Sequence, residues 1–470
     1  MKYLAKALLA AFVALLTFQS TAAQTITERY RDQVKLLIDA SLASDSAWNR
    51  LAYITDMFGP RFSGSQNLED AIDEIVRMMK KDGFDTVYTE PVKVPNWVRG
   101  NESVKMVSPR PRLMPMLGLG GSIATPPEGI TAEVIVVDEL DSVATLGDRA
   151  KGKIVLINQA FEEARGPAPF RGYSQTVRIR SMGAVESAKV GAVATLIRSV
   201  GPYGMQTPHT GSMAYVDGVP RIPAAAITIE DAEMIKRMTE RGQKVVVTLQ
   251  MEAQTLPDAD SRNIIVELRG YEKPDEIVVM GGHIDSWDVG TGAMDDAGGC
   301  IVTWEALRLM KELGLRPRRT VRVVFWTNEE NGLRGANVYK NNRLAEVEKH
   351  VLAMESDAGV FSPEGFGFTG VNAAYAVINE IGQMLAPIGA NTITRGGGGA
   401  DISPLTREGV PSMGLTVDGT KYFWYHHTEA DTIDKLNRDE VKRCVAAMAV
   451  MAFVVADMQE RLPWEPVAND

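Results

Sequence analysis

The chain has 470 residues, 45% of them hydrophobic and 23% charged, and carries a formal net charge of −10. That length supplies more than one domain with a sizeable core, and the balance excludes a largely disordered chain. An acidic surface repels phosphate backbones, so nucleic acid is not an expected partner.

The first stretch reads as a targeting segment. Lys2 and Lys6 precede a short apolar run from Leu8 to Phe18, and small residues lead to Ala22-Ala23-Gln24. That order is a secretory signal peptide, residues 1–23, and the run is too short to span a bilayer comfortably. No later stretch is long and apolar enough to cross. The expectation is an exported protein, secreted or periplasmic, without a membrane span.

Residues 24–45 pattern as an amphipathic helix and Ser46 opens a second. A breaker-rich loop follows at Gly59-Pro60-Arg61-Phe62-Ser63-Gly64. Leu68, Ala71, Ile72, Ile75 and Met79 then recur at helical spacing, and Gly83 stops that helix. Residues 85–94 alternate as a strand. Prolines 109, 111, 115, 126 and 127 mark a boundary. Beyond it, apolar runs at 132–138, 153–159, 192–198, 224–229 and 244–252 read as strands. Helical patterns fall among them at 181–190 and 230–240. Residues 253–260 read as a linker.

A second α/β region starts at Ser261. Strands are expected at 263–268, 276–281, 321–326 and 351–355, and a helix from Asp295 toward Leu313. The runs Val321–Trp326 and Val351–Glu355 hold few charges, as a strand buried on both faces does. The fold class is therefore α/β, with a mixed, mostly parallel sheet between helices. Of the two cysteines, Cys300 and Cys444, both fall in helical patterns and are expected as buried thiols rather than a bridge.

Chemistry concentrates in segments at strand ends and loops. His283-Ile284-Asp285 pairs an imidazole with an acceptor that could orient it. Asp295-Asp296 stands before a helix; the pair could be a cap and a first-turn charge, or Asp295 could bridge two metal ions. Glu329-Glu330 directly follows a buried strand, a costly place for carboxylates unless they are solvated, paired or metal-bound. Adjacent side chains point apart, so one can ligate while the other moves a proton. Glu355-Ser356-Asp357 ends another strand, and Tyr425-His426-His427 holds two of the chain's 5 histidines. Two features are weaker. Gly396–Gly399 could wrap a substrate or be a surface loop, and Tyr422, Tyr425 or His426 could stabilise an oxyanion or simply pack.

Together, His283-x-Asp285, Gly292-Ala293-Met294-Asp295-Asp296, Glu329-Glu330, Asp357 and His427 resemble the M28 family of co-catalytic zinc exopeptidases. The resemblance implies two zinc ions per chain: His283 and Asp357 on one, Glu330 and His427 on the other, Asp295 bridging. It implies Glu329 as the general base that activates water at the metals, Asp285 as the group orienting His283, and a cis peptide after Asp295. It also implies a peptide substrate, a possible homodimer, and a protease-associated domain inserted in the peptidase domain. The expected division is then 24–119, the peptidase domain's first part; 120–252, the insert, which could cover the cleft or be inert; and 253–470, the second part with the metal site. The leading expectation is a carboxypeptidase or dipeptidase. Its rivals are an aminopeptidase with the same metals, a receptor-like relative without activity, and a single-zinc acyl-transfer enzyme.

Overall fold

The structure, a computed structural model, describes residues 25–162 and 170–465. The signal peptide expected at 1–23 lies outside the described residues. Among the described residues no helix is long and apolar enough to cross a membrane.

Among the described residues three helices come first: Ile26–Ala43, Ser46–Phe58 and Gln66–Asp82. Thr25 and Glu28 close a capping box on the first, satisfying two amide donors that helix geometry leaves free. The third buries Leu68, Ala71, Ile72, Ile75 and Met79, starts on a Ser65 cap and stops at left-handed Gly83, as its sequence predicts.

The main sheet has eight strands, in spatial order Thr86–Val98, Gln254–Leu268, Arg319–Trp326, Lys273–His283, His350–Glu355, Ser412–Val417, Pro363–Thr369 and Thr392–Arg395. Its centre is parallel: Lys273–His283 lies between Arg319–Trp326 and His350–Glu355, all running one way. These strands are apolar because both faces are covered. The helices Gly298–Glu312 and Arg438–Asp457 contribute to the larger core on one face. Ala336, Tyr339, Ile402 and Leu405 pack against Ile265, Val279, Val324 and Ala353 on the other. Cys300 and Cys444 are free, buried thiols in that first layer, as expected.

Residues 253–260 are not a linker. All but Ala253 belong to the strand Gln254–Leu268, which pairs antiparallel with Thr86–Val98 from Thr86 opposite Glu267 to Val98 opposite Gln254. Their side chains are mostly exposed, so hydropathy reads them as loop while the backbone ladder makes them a strand.

A second sheet of eight strands runs Arg112–Met114, Glu102–Ser108, Val246–Met251, Ile130–Val137, Ile154–Ile157, Ala194–Arg198, Ala224–Ile227 and Met116–Gly118. It takes strands from Glu102 onward, so it begins before the residue-120 edge expected from the prolines. Pro109, Pro111 and Pro115 fall between the short strands Glu102–Ser108, Arg112–Met114 and Met116–Gly118, and Pro126 and Pro127 lie in the loop before Ile130–Val137.

Candidate active site

Three parallel strands bring their carboxyl ends to one edge. His283 is the last residue of Lys273–His283, Glu329 and Glu330 follow Arg319–Trp326, and Asp357 lies just beyond His350–Glu355. Asp295 comes from the turn that leads into Gly298–Glu312, and His427 from the loop after the short helix Tyr422–Tyr425. The strand end and the turn approach closely because Gly282 has no side chain: a Cβ there would sit 2.1 Å from Asp296 Oδ2. That oxygen accepts from the His283 amide at 3.1 Å, and Asp296 Oδ1 accepts from the Gly299 amide at 3.1 Å. Asp296 thus caps the helix, which starts at Gly298 rather than Asp295. The Asp295–Asp296 peptide is cis.

The residues singled out in the sequence converge. His283 Nε2 is 3.2 Å from Asp295 Oδ1, 3.3 Å from Asp357 Oδ1 and 3.9 Å from Glu329 Oε2. His427 Nε2 is 3.0 Å from Glu330 Oε2 and 3.5 Å from Asp295 Oδ2. His283 Nδ1 lies 2.9 Å from the Asp285 carbonyl, and His427 Nδ1 lies 3.3 Å from both the Thr210 carbonyl and Arg180 Nη1. With Nδ1 donating to the Asp285 carbonyl, His283 Nε2 turns its lone pair toward carboxylate oxygens, an arrangement that a cation between them satisfies.

The donor set fits a metal on two further counts. Asp295 Oδ2 and Glu330 Oε1 are buried without a hydrogen-bond partner, which is costly unless something positive meets them. The charges are also crowded. Burial pushes Glu329 up to about 8, with the Asp357, Asp285 and Asp295 charges adding and His283 opposing. Burial raises Glu330 well above the carboxylate range, and the Asp295 charge raises it further. Burial and the neighbouring Arg180 guanidinium hold His427 well below the imidazole range, in the neutral form that ligates.

Asp285 serves His283 differently from the expectation. Its backbone carbonyl accepts from His283, while its carboxylate Oδ1 stands 4.0 Å from Nδ1. That carboxylate instead accepts the amides of Glu329 at 3.1 Å and Glu330 at 3.3 Å, and the Ser63 hydroxyl at 3.3 Å. A His-x-Asp spacing lets either oxygen type reach the ring, and only the tertiary fold selects.

Several residues of the site carry no signal of their own in the sequence. Asp431 accepts from the Met294 amide at 2.8 Å and the Asp295 amide at 3.1 Å, clamping the turn that presents Asp295. Arg61, fully buried, donates to the carbonyls of Ile284 at 2.9 Å, Gly59 at 3.0 Å, Thr291 at 2.6 Å and Gly292 at 3.0 Å. Its place in the breaker-rich loop was visible; its four partners were not.

The other wall comes from the second-sheet segment. Arg180 lies 3.3 Å from His427 Nδ1 and donates to the Tyr173 hydroxyl at 2.7 Å. Ser212 Oγ donates to the Glu330 carbonyl at 2.9 Å. Tyr173 stacks on Phe423 with ring centroids 4.8 Å apart. Tyr173, Arg180, Tyr422, Phe423, His426 and His427 line, with the acids, a cleft of about 250 Å³. Gly396–Gly399 does not line it. A Cβ on Gly399 would sit 2.1 Å from the Glu355 carboxyl carbon, so that glycine permits close packing beneath the site.

Residues 263–452 match the model of peptidase family M28. Carboxypeptidase Q of Bos taurus is 46% identical over 437 residues, covering 92% of this chain and 91% of that one. A solved peptidase M28 precursor from Shewanella amazonensis superposes with a TM-score of 0.89 at 37% identity, over 93% of this chain and 99% of the other. A zinc aminopeptidase from Bacillus subtilis shares the fold, with a TM-score of 0.62 at 20% identity over 89% of this chain and 98% of its own. Fold, site and relatives define a metallopeptidase. The chain belongs to peptidase family M28, and over nearly its whole length it is similar to carboxypeptidase Q.

Proposed function

We propose that this metallopeptidase is an exported two-zinc exopeptidase that hydrolyses dipeptides or short peptides, with Glu329 as general base. The observation that carries the reading is Asp295: its Oδ1 faces His283 and its Oδ2 faces His427, at 3.2 and 3.5 Å, as a bridging carboxylate between two ligand pairs would. His283 and Asp357 would hold one zinc and Glu330 and His427 the other. Zinc held there supplies Lewis-acid polarisation of the scissile carbonyl and acidifies water at the site. Glu329 is free for the proton. Its side chain is 21% exposed, and Asp285 fixes its backbone. It takes the proton of the attacking water and returns it to the leaving amine. The wall of Tyr173, Phe423 and Tyr422 narrows access, which favours short substrates. Similarity to carboxypeptidase Q favours a carboxypeptidase or dipeptidase over an aminopeptidase.

The Glu329→Gln and Glu330→Gln variants test the assignment. Glu329→Gln should keep near two zinc equivalents and lose about 10²–10⁴ in kcat on unblocked dipeptides. Glu330→Gln should lose a zinc. Metal loss from the first with full loading of the second would reverse the roles. Rates on N-blocked and C-amidated peptides decide which chain end is read.

A further inference from the structure

The second sheet has a cleft of its own, about 360 Å³, at the carboxyl ends of its parallel strands. Asp138 follows Ile130–Val137, Asn158 follows Ile154–Ile157, and Arg198 ends Ala194–Arg198; these three strands are parallel neighbours. Glu233 and Lys236 reach in from the helix Ile229–Glu240. Carboxyl ends of parallel strands are where open α/β sheets hold small ligands.

The polar groups are only half satisfied. Glu233 Oε1 accepts from Asn158 Nδ2 at 3.0 Å and from Arg198 Nη1 at 2.6 Å, and Lys236 Nζ donates to Asp138 Oδ1 at 2.6 Å. Two atoms are left over. Asn158 Oδ1 and Arg198 Nε are buried and have no hydrogen-bond partner, and Asn158 is only 3% exposed. One is an acceptor and the other a donor. Both belong to side chains that bond the same carboxylate oxygen, Glu233 Oε1, and both side chains line the cleft. A simple anion there would face Asp138 and Glu233, and a simple cation would face Arg198 and Lys236. A small molecule with both charges meets all of them.

We infer that this cleft binds a free α-amino acid as its zwitterion, the ammonium on Asn158 Oδ1 beside Glu233 and the carboxylate on Arg198 Nε and Lys236. The ligand is of the class an exopeptidase releases, yet the residues are separate from the metal cleft, and its binding does not depend on the proposed catalytic roles.

Calorimetric titration of the full-length protein with L-alanine tests it, beside N-acetyl-L-alanine, which lacks the ammonium, and L-alaninamide, which lacks the carboxylate. L-alanine should bind, and each blocked analogue should bind at least about 10-fold more weakly, a loss of about 1.4 kcal/mol. Asn158→Leu should weaken L-alanine by a similar factor. Lys236→Met, at a partly exposed position, repeats the test where folding is not at risk. Unchanged peptidase rates would show that both variants are folded. Equal L-alanine affinity in wild type and Lys236→Met would place the binding in the metal cleft and overturn the inference. Equal affinity for the blocked analogues, or no heat at about 10 mM ligand, would overturn it as well.

Discussion

Replacing Asp285 by asparagine separates its two jobs. The backbone carbonyl that accepts from His283 Nδ1 is unchanged by the substitution, so His283 should keep its tautomer. The carboxylate is changed. Its Oδ1 accepts the Glu329 amide and its Oδ2 the Glu330 amide. An asparagine offers one oxygen and an NH₂ group, so one of those buried amides is left facing a donor. An unmet buried donor costs about 1–3 kcal/mol. If that cost falls on the placement of Glu329 in the transition state, it slows the reaction by about 5- to 150-fold. The loss should appear in kcat, with KM little changed, and zinc content should stay near the wild-type value. Asp285→Ala removes both acceptors and should double the free-energy cost. Steady-state rates on an unblocked dipeptide, with metal analysis of the same samples, decide the matter. Wild-type kcat in Asp285→Asn would refute the loop-holding role. Loss of zinc with full recovery of rate on resaturation would mean that Asp285 acts through the ligand His283 instead.

Arg61→Met leaves the carbonyls of Ile284, Gly59, Thr291 and Gly292 without their shared donor; stability should fall by at least about 3 kcal/mol, and an unchanged Tm by scanning calorimetry would contradict this. His350 is a pH-dependent element of the core far from the proposed proton transfer. Burial, with Arg322 nearby, lowers its imidazole from 6.5 to about 3, so the unfolded chain binds more protons between those values and stability falls as pH drops through that window. The contribution lost between pH 7 and 5 is about 2 kcal/mol, read from urea midpoints, and His350→Phe should flatten that slope. Residues 102–251 should fold as a unit when expressed alone, given their own sheet and core clusters; a far-UV spectrum without helix or strand would refute it. Light scattering should give a homodimer mass for the mature chain.

The positions of the ligand-type residues were legible from the sequence because strands buried on both faces are apolar without interruption, and a carboxylate or histidine at their end stands out. Periodicity marked the helix Gln66–Asp82, and the parallel centre of the main sheet followed from alternating strands and helices. The residue types at 283, 295, 329, 330, 357 and 427 were enough to suggest the chemistry. What hydropathy could not register was backbone pairing: the exposed strand 254–260 looks like a linker because its stability lies in amide hydrogen bonds, which leave no trace in side-chain pattern. Nor could spacing decide whether Asp285 meets His283 through carboxylate or carbonyl, or that Asp431 and Arg61 hold the Asp295 turn from more than 130 and 230 residues away. Those partners are chosen by which loops the two sheets bring together. Arg180, Thr210 and Ser212 make the same point, since they come from the second sheet's segment and touch His427 and Glu330 only once the chain has folded back across the cleft. Local sequence sets which groups are available; the contacts that orient them are long-range, and only the tertiary structure supplies them.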